Sequence, residues 1–121
     1  MIYVCLDFET NGFPPKIPGE DRPLPWHSYP IQLSVDIVED AAIVQHWDTL
    51  IRGAEQLCTW VQENVPITLE ETRSEGIFLG ETLLHLHSML QEGDTIVAHN
   101  AKFDMETALE KQQQLWLQKE N

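Results

Sequence analysis

From residue 2 the chain sets Ile2, Tyr3, Val4, Cys5 and Leu6 in succession with no polar residue among them. An unbroken run of β-branched, aromatic and aliphatic side chains predicts a strand covered on both faces, the central strand of a sheet. Side chains alternate along a strand, so Asp7 and Glu9 fall on one side about 7 Å apart, and Phe8 on the other. Ile31 to Val38 follows a different rule. Ile31, Leu33, Val35 and Ile37 alternate with Gln32, Ser34 and Asp36, which predicts a half-buried strand. Glu39-Asp40-Ala41 then makes a tight connection into a second β-like run, Ala42 to Ile51. The two runs form an antiparallel hairpin, and the first strand pairs with it.

Further along, the period lengthens. Leu57, Trp60 and Val61 stand at helical spacing until Asn64-Val65-Pro66 stops the pattern. Thr68-Leu-Glu-Glu71 has the spacing of a capping box and opens a short helix that Gly76 ends. A longer helix is predicted from Gly80 to Gln91, with Leu83, Leu86 and Leu90 as its apolar stripe, broadened by Leu84 and Met89. Gly93-Asp94 turns the chain into a short buried strand, Thr95 to His99. Asn100 caps a last helix running to Lys119, with Ala101, Met105, Ala108 and Trp116 on one face. Phe13 to Pro30 holds six of the seven prolines and reads as a long loop packed beside the acidic end of the first strand.

Composition narrows the class. A chain of 121 residues with 42% hydrophobic content and four Trp is one globular domain with a sizeable core. Its apolar runs are too short to span a bilayer as helices, and no signal-like segment precedes the first strand. Cys5 and Cys58 form neither a disulfide framework nor a zinc motif, and read as reduced core residues of a cytoplasmic protein. Seven basic against twenty acidic residues give a formal charge of −13. That argues against broad electrostatic adhesion to nucleic acid or anionic membrane, while leaving room for local contacts neutralised by metal ions.

Two constellations carry candidate chemistry. Asp7 and Glu9 repel each other at the strand end unless a cation lies between them, and a divalent ion such as Mg²⁺ or Mn²⁺ favours such carboxylate oxygens. The alternative is a pair of solvated acids before the Asn11-Gly12 turn. His99-Asn100-Ala-Lys-Phe103-Asp104 spans a change from strand to helix. There Asn100 and Asp104 lie one turn apart on a shared face, and Phe103 about 100° round from Asp104. Read one by one, these residues are a cap, a core aromatic and a first-turn acid.

Together, Asp7-Phe-Glu9-Thr-Asn-Gly12 and His99-Asn100-Ala-Lys-Phe103-Asp104 resemble the first two motifs of the DEDD 3′–5′ exonucleases, typified by the proofreading (epsilon) subunit of bacterial DNA polymerase III. Pro30-Ile-Gln-Leu33 is similar to the family's second strand. Val65-Pro-Ile-Thr68 stands where members often carry His-Gly-Ile-Thr. The resemblance implies an α/β, ribonuclease-H-like fold with a mixed central sheet flanked by helices. It further implies that Asp7 bridges two divalent ions (Mg²⁺ or Mn²⁺), that Glu9 binds one of them, and that Asp104 holds the second largely through water. Thr10, Gly12, Asn100 and Phe103 would border the terminal nucleotide. The implied partner is the 3′ end of single-stranded DNA, with RNA as an alternative, alongside a polymerase subunit or a second copy of the chain.

The chain departs from the family pattern in three places. Asn11 replaces the second Thr of Thr-Thr-Gly, and Val65-Pro66 replaces His-Gly. The third motif, His-x4-Asp or Tyr-x3-Asp, has no match after Asp104, where Glu106, Glu110 and Glu120 occur without His or Tyr. Leu115-Trp116-Leu117 also lacks sequence to pack against, so the expectation is a single exonuclease-like domain, 1–121, lacking its C-terminal part. His85, His87 and His99 read as structural. Three readings stay open: an exonuclease, a degenerate module that binds nucleic acid or a polymerase without cutting, and a bare fold with solvated acids.

Overall fold

The computed structural model describes residues 1–12 and 29–98. In chain order these form β1 (Ile2–Thr10), β2 (Pro30–Glu39), β3 (Ala42–Arg52), α1 (Thr59–Asn64), α2 (Leu69–Glu75), β4 (Ile77–Phe78), α3 (Leu79–Met89) and β5 (Thr95–Ala98). The described strands make one mixed sheet in the order β4-β3-β2-β1-β5. β1, β2 and β3 are successively antiparallel, whereas β5 joins β1 in parallel and β4 joins β3 in parallel. The connection from β3 to β5 carries all three described helices, as a crossover between distant strands requires. This is the mixed, helix-flanked sheet that the resemblance to the exonuclease family implies.

The hairpin of β2 and β3 follows the predicted alternation. Asp40 and Ala41 both take positive φ, 51° and 64°, the backbone that lets a two-residue turn match the twist of its strands. Ile31, Leu33, Val35 and Ile37 are buried on β2. With Val4, Leu6 and Phe8 of β1, the last three of these meet Leu79, Leu83 and Leu86 of α3 in the main core. Each such side chain contributes about 1.5–3 kcal/mol through burial. A second cluster, Ile31, Ala54, Leu57, Val61 and Ile67, seals the sheet end beside α1.

Two expectations are corrected. β1 is an interior strand, but β2 occupies the middle of the described sheet. Nor is β1 covered on both faces: Val4, Leu6 and Phe8 are buried while Tyr3 is 39% exposed and Asp7 is open. β5 behaves alike, with Val97 46% exposed on its open face. An apolar run records that side chains are apolar, not which face a helix reaches, and the described helices bury only the Val4 side of β1. Cys5 and Cys58 are free thiols, each half-buried rather than fully in the core.

The helices match their signals with smaller adjustments. Thr68 caps α2 in a capping box with Glu71, and Gly76 ends it. Gly76 does so at φ −77°, not in a left-handed cap, and the position needs glycine because a Cβ there would meet the Thr72 carbonyl oxygen and the Arg52 nitrogen. Leu57, just before α1, and Val61 within it turn inward, while Trp60 stays exposed. In α3, Leu84 lies on the exposed side, and exposed His85 stacks on Trp47 of β3 with ring centroids 4.1 Å apart. The two-residue β4 carried no period to read. The predicted loop over 13–28 and the predicted helix from Asn100 lie outside the described residues.

Candidate metal-binding face and its surroundings

Register fixes the site. Directly opposed residues of antiparallel strands lie on the same face, and Asp7 opposes Ser34 while Glu9 opposes Gln32. Phe8 between them is buried in the core, so the two carboxylates emerge together on the opposite face, Asp7 exposed and Glu9 half-buried. Among the described residues neither accepts a hydrogen bond nor pairs with a cation. The same face continues through Ser34 to Asp48, and from Cys5 through Asp36 to His46. His46 sits between two acids, with Nδ1 2.5 Å from Asp36 and Nε2 2.7 Å from Asp48. Those hydrogen bonds, first to Asp36 and then to Asp48, raise its pKa above the ordinary histidine value.

Beyond Glu9 the strand ends in a strapped corner. Thr10 Oγ1 accepts the Gly12 N–H at 3.1 Å. Asn11 is 1% exposed; its N–H donates to the Tyr29 carbonyl and its Oδ1 accepts the Tyr29 N–H. Its own carbonyl accepts the Cys58 N–H at 2.9 Å, at the start of α1. Gly12 then passes so close to α1, at φ +83°, that a Cβ would lie 2.5 Å from both Cys58 Sγ and Val61 Cγ2. Tyr29 packs its hydroxyl against Gly53, and partial burial raises the phenol pKa. The residues after the acids are thereby tied to β2 and α1, which holds Thr10 and Gly12 beside Glu9.

Sequence reasoning singled out Thr10 and Gly12 and treated Asn11 as a mild departure. The tertiary structure makes Asn11 the residue that locks the corner. An Asn before a Gly at a strand end was the available signal. Val65 and Pro66 follow α1 directly, and Val65 packs against the second cluster. Asn100, Phe103 and Asp104 lie outside the described residues, as does His99. Among the described residues no group of three His, Cys, Asp or Glu side chains could hold a metal ion, so Asp7 and Glu9 stand as a pair.

No family model matches the chain. Over 105 residues it is 33% identical to the PolC-type DNA polymerase III of Thermotoga petrophila, a stretch that takes in 84% of this chain and 7% of that protein. Its fold matches exonuclease I, with a TM-score of 0.69 and 18% identity over 88% of this chain and 22% of the other. The chain is a DEDD 3′–5′ exonuclease-like domain. Exonuclease I of Methylocaldum szegediense gives a TM-score of 0.69 at 17% identity, again over 88% of this chain and 22% of that one. A zinc-bound complex of E. coli exonuclease I with single-stranded DNA matches at 0.69 and 18%, over the same shares. The exonuclease-like domain thus spans less than a quarter of the length of each of these proteins. No described helix is long and apolar enough to cross a membrane.

Proposed function

We propose that this domain is the catalytic unit of a metal-dependent 3′–5′ exonuclease of the proofreading type, removing nucleotides from the 3′ end of a DNA strand in the cytoplasm. The observation that carries the reading is the pair Asp7 and Glu9, open on one face of an interior strand beside the strapped Thr10–Gly12 corner. Two hard oxygen donors with no cation against them among the described residues fit Mg²⁺ or Mn²⁺. Asp7 and Glu9 would hold the metal, with Asp104 as the third carboxylate. When bound, a pair of such ions supplies an activated water and charge stabilisation for the leaving 3′ oxygen. Thr10 and Gly12 would border the terminal nucleotide, with Asn100 and Phe103 completing its pocket. Stacking there tolerates any base, and a net charge of −13 leaves affinity to such local contacts rather than to a basic surface.

The similarity to a PolC-type polymerase supports DNA as the substrate and a polymerase subunit as the partner. The exonuclease I complex with single-stranded DNA supports a single strand, and its bound zinc supports a divalent ion. A second reading is a module that binds nucleic acid or a polymerase without cutting, and its support is that Asp7 and Glu9 form a two-donor set among the described residues.

The test is calorimetric titration of Mn²⁺ into this chain and its Asp7→Ala variant, followed by nucleotide release from 3′-labelled single-stranded DNA. Asp7-dependent binding with release is the expected result. Asp7-dependent binding without release selects the second reading, and no binding by the unmodified chain overturns both.

A further inference from the structure

We propose that Arg52 and Phe78 form a stacking and phosphate-binding platform for the stretch of single strand that lies 5′ of the terminal nucleotide, an inference that rests on the exonuclease reading above. Arg52 and Arg73 are the only Lys or Arg side chains among the described residues, in a chain with twenty acidic ones. Yet both ion pairs seen among the described residues belong to His46, and Arg52 takes part in neither. Its Nε is buried and has no hydrogen-bond partner there, a costly state for a charged donor. The guanidinium carbon instead lies over the Phe78 ring, 5.2 Å from its centroid. Phe78 is itself 54% exposed. A guanidinium held over an aromatic ring, with hydrogen-bonding capacity unused, is pre-organised for an anionic, planar ligand.

Register places this platform on the same face, and at the same end of the sheet, as the candidate metal ligands. Ile51 is buried in the main core, so Leu50 and Arg52 on either side of it fall on the opposite face. Leu50 opposes Gln32, which opposes Glu9, so that is the Glu9 face. Phe78 pairs with Arg52 in the parallel ladder and shares it. Continued by two residues, the β2–β3 register sets Arg52 beside Pro30, the partner of Thr10. Arg52 thus lies two strands from Thr10 and Phe78 three, about 10 and 14 Å at the usual strand spacing. The two places are tied together, because the Tyr29 hydroxyl packs against Gly53 while the Tyr29 backbone is hydrogen-bonded to Asn11. A strand whose 3′ nucleotide rests at Thr10 and Gly12 therefore meets next a guanidinium for a phosphate and an aromatic ring for a base. Neither contact reads sequence, since every base has a π face and every linkage a phosphate. In a chain of charge −13, an arginine kept clear of carboxylates remains available to an anion from outside.

The test is fluorescence anisotropy of a 5′-labelled decathymidylate with the full chain in Ca²⁺, a hard ion for Asp7 and Glu9, with dithymidylate as competitor. The decamer should bind more tightly than the dinucleotide. Phe78→Ala should weaken the decamer about tenfold, the loss of one stacked base, and leave the dinucleotide unchanged. Arg52→Gln should lower the salt slope of decamer binding by about 0.7, one phosphate contact, whereas Phe78→Ala should not move that slope. Should Phe78→Ala fail to fold, Phe78→Leu keeps the apolar bulk without the ring and should lose the same affinity. Equal affinity for the two lengths, a decamer indifferent to both substitutions, or equal weakening of decamer and dinucleotide overturns the proposal. So does tighter Arg52-dependent binding of an acidic peptide than of the decamer, which would assign the guanidinium to a protein partner. Mn²⁺ titration of the same samples reports on Asp7 separately. Retained Mn²⁺ binding beside a failed length effect overturns the platform and leaves the exonuclease reading standing, while an Arg52-dependent length effect without Mn²⁺ binding keeps the platform on a module that does not cut.

Discussion

Asn11 and Tyr29 exchange two hydrogen bonds: the Asn11 N–H donates to the Tyr29 carbonyl at 2.9 Å, and the Asn11 side-chain oxygen accepts the Tyr29 N–H at 2.8 Å. One side chain, itself buried, thereby does at the end of β1 what a further ladder residue would do. Asn11→Ala leaves the Tyr29 N–H without that acceptor, and should destabilise the fold by about 1–3 kcal/mol. Urea denaturation followed by tryptophan fluorescence measures it, and a change below a few tenths would remove Asn11 from this role.

Gly12 next to it admits no side chain. Its φ of +83° disfavours any L residue, and a Cβ would lie 2.5 Å from Cys58 Sγ and Val61 Cγ2. Gly12→Ala should cost at least about 1 kcal/mol. Adding Cys58→Ala relieves part of the crowding but not the backbone strain, so the double variant should recover only part of the lost melting temperature.

Asp7 is exposed and lies on the candidate site rather than in the core. Asp7→Asn should leave the melting temperature without metal unchanged within error. In the unmodified chain, Mn²⁺ at about 100 times its Kd should add about 2.7 kcal/mol of stability. Differential scanning calorimetry with and without Mn²⁺ separates the two, and an equal metal-induced shift in Asp7→Asn would remove Asp7 from the metal site.

His46 gives the hairpin a pH dependence. Its pKa is raised in the folded chain by hydrogen bonds to Asp36 and Asp48. The stabilisation is fully present below the unfolded value of about 6.5 and is lost as pH rises through the higher folded value. The urea midpoint should therefore fall across the range just above pH 6.5, and His46→Gln should flatten that fall. An NMR titration placing the His46 midpoint at or below 6.5 would contradict the assignment.

Thr68 closes the capping box of α2, with Oγ1 accepting the Glu71 N–H at 3.1 Å and Glu71 Oε1 accepting the Thr68 N–H at 3.3 Å. Thr68→Ala should cost about 0.5–2 kcal/mol. Thr68→Ser should retain most of the stability, a contrast that thermal denaturation resolves.

The sequence alone determined whatever rests on local period and local chemistry. The β2–β3 alternation, the turn at Asp40-Ala41, the Thr68 cap, the Leu83 and Leu86 stripe, and the shared face of Asp7 and Glu9 all follow from neighbours a few residues apart. Only the tertiary structure decided which faces are covered, because an apolar run such as Ile2 to Leu6 carries no record of where a helix comes to rest. It also decided the lock between Asn11 and Tyr29, the approach of Gly12 to α1, and the pairing of Ile77-Phe78 with the end of β3. Those contacts join residues far apart in the chain, and their energies depend on distances that no local pattern encodes. The second constellation, Asn100 to Asp104, is written in the sequence and lies outside the described residues, so its approach to Asp7 remains a proposal carried by the motif.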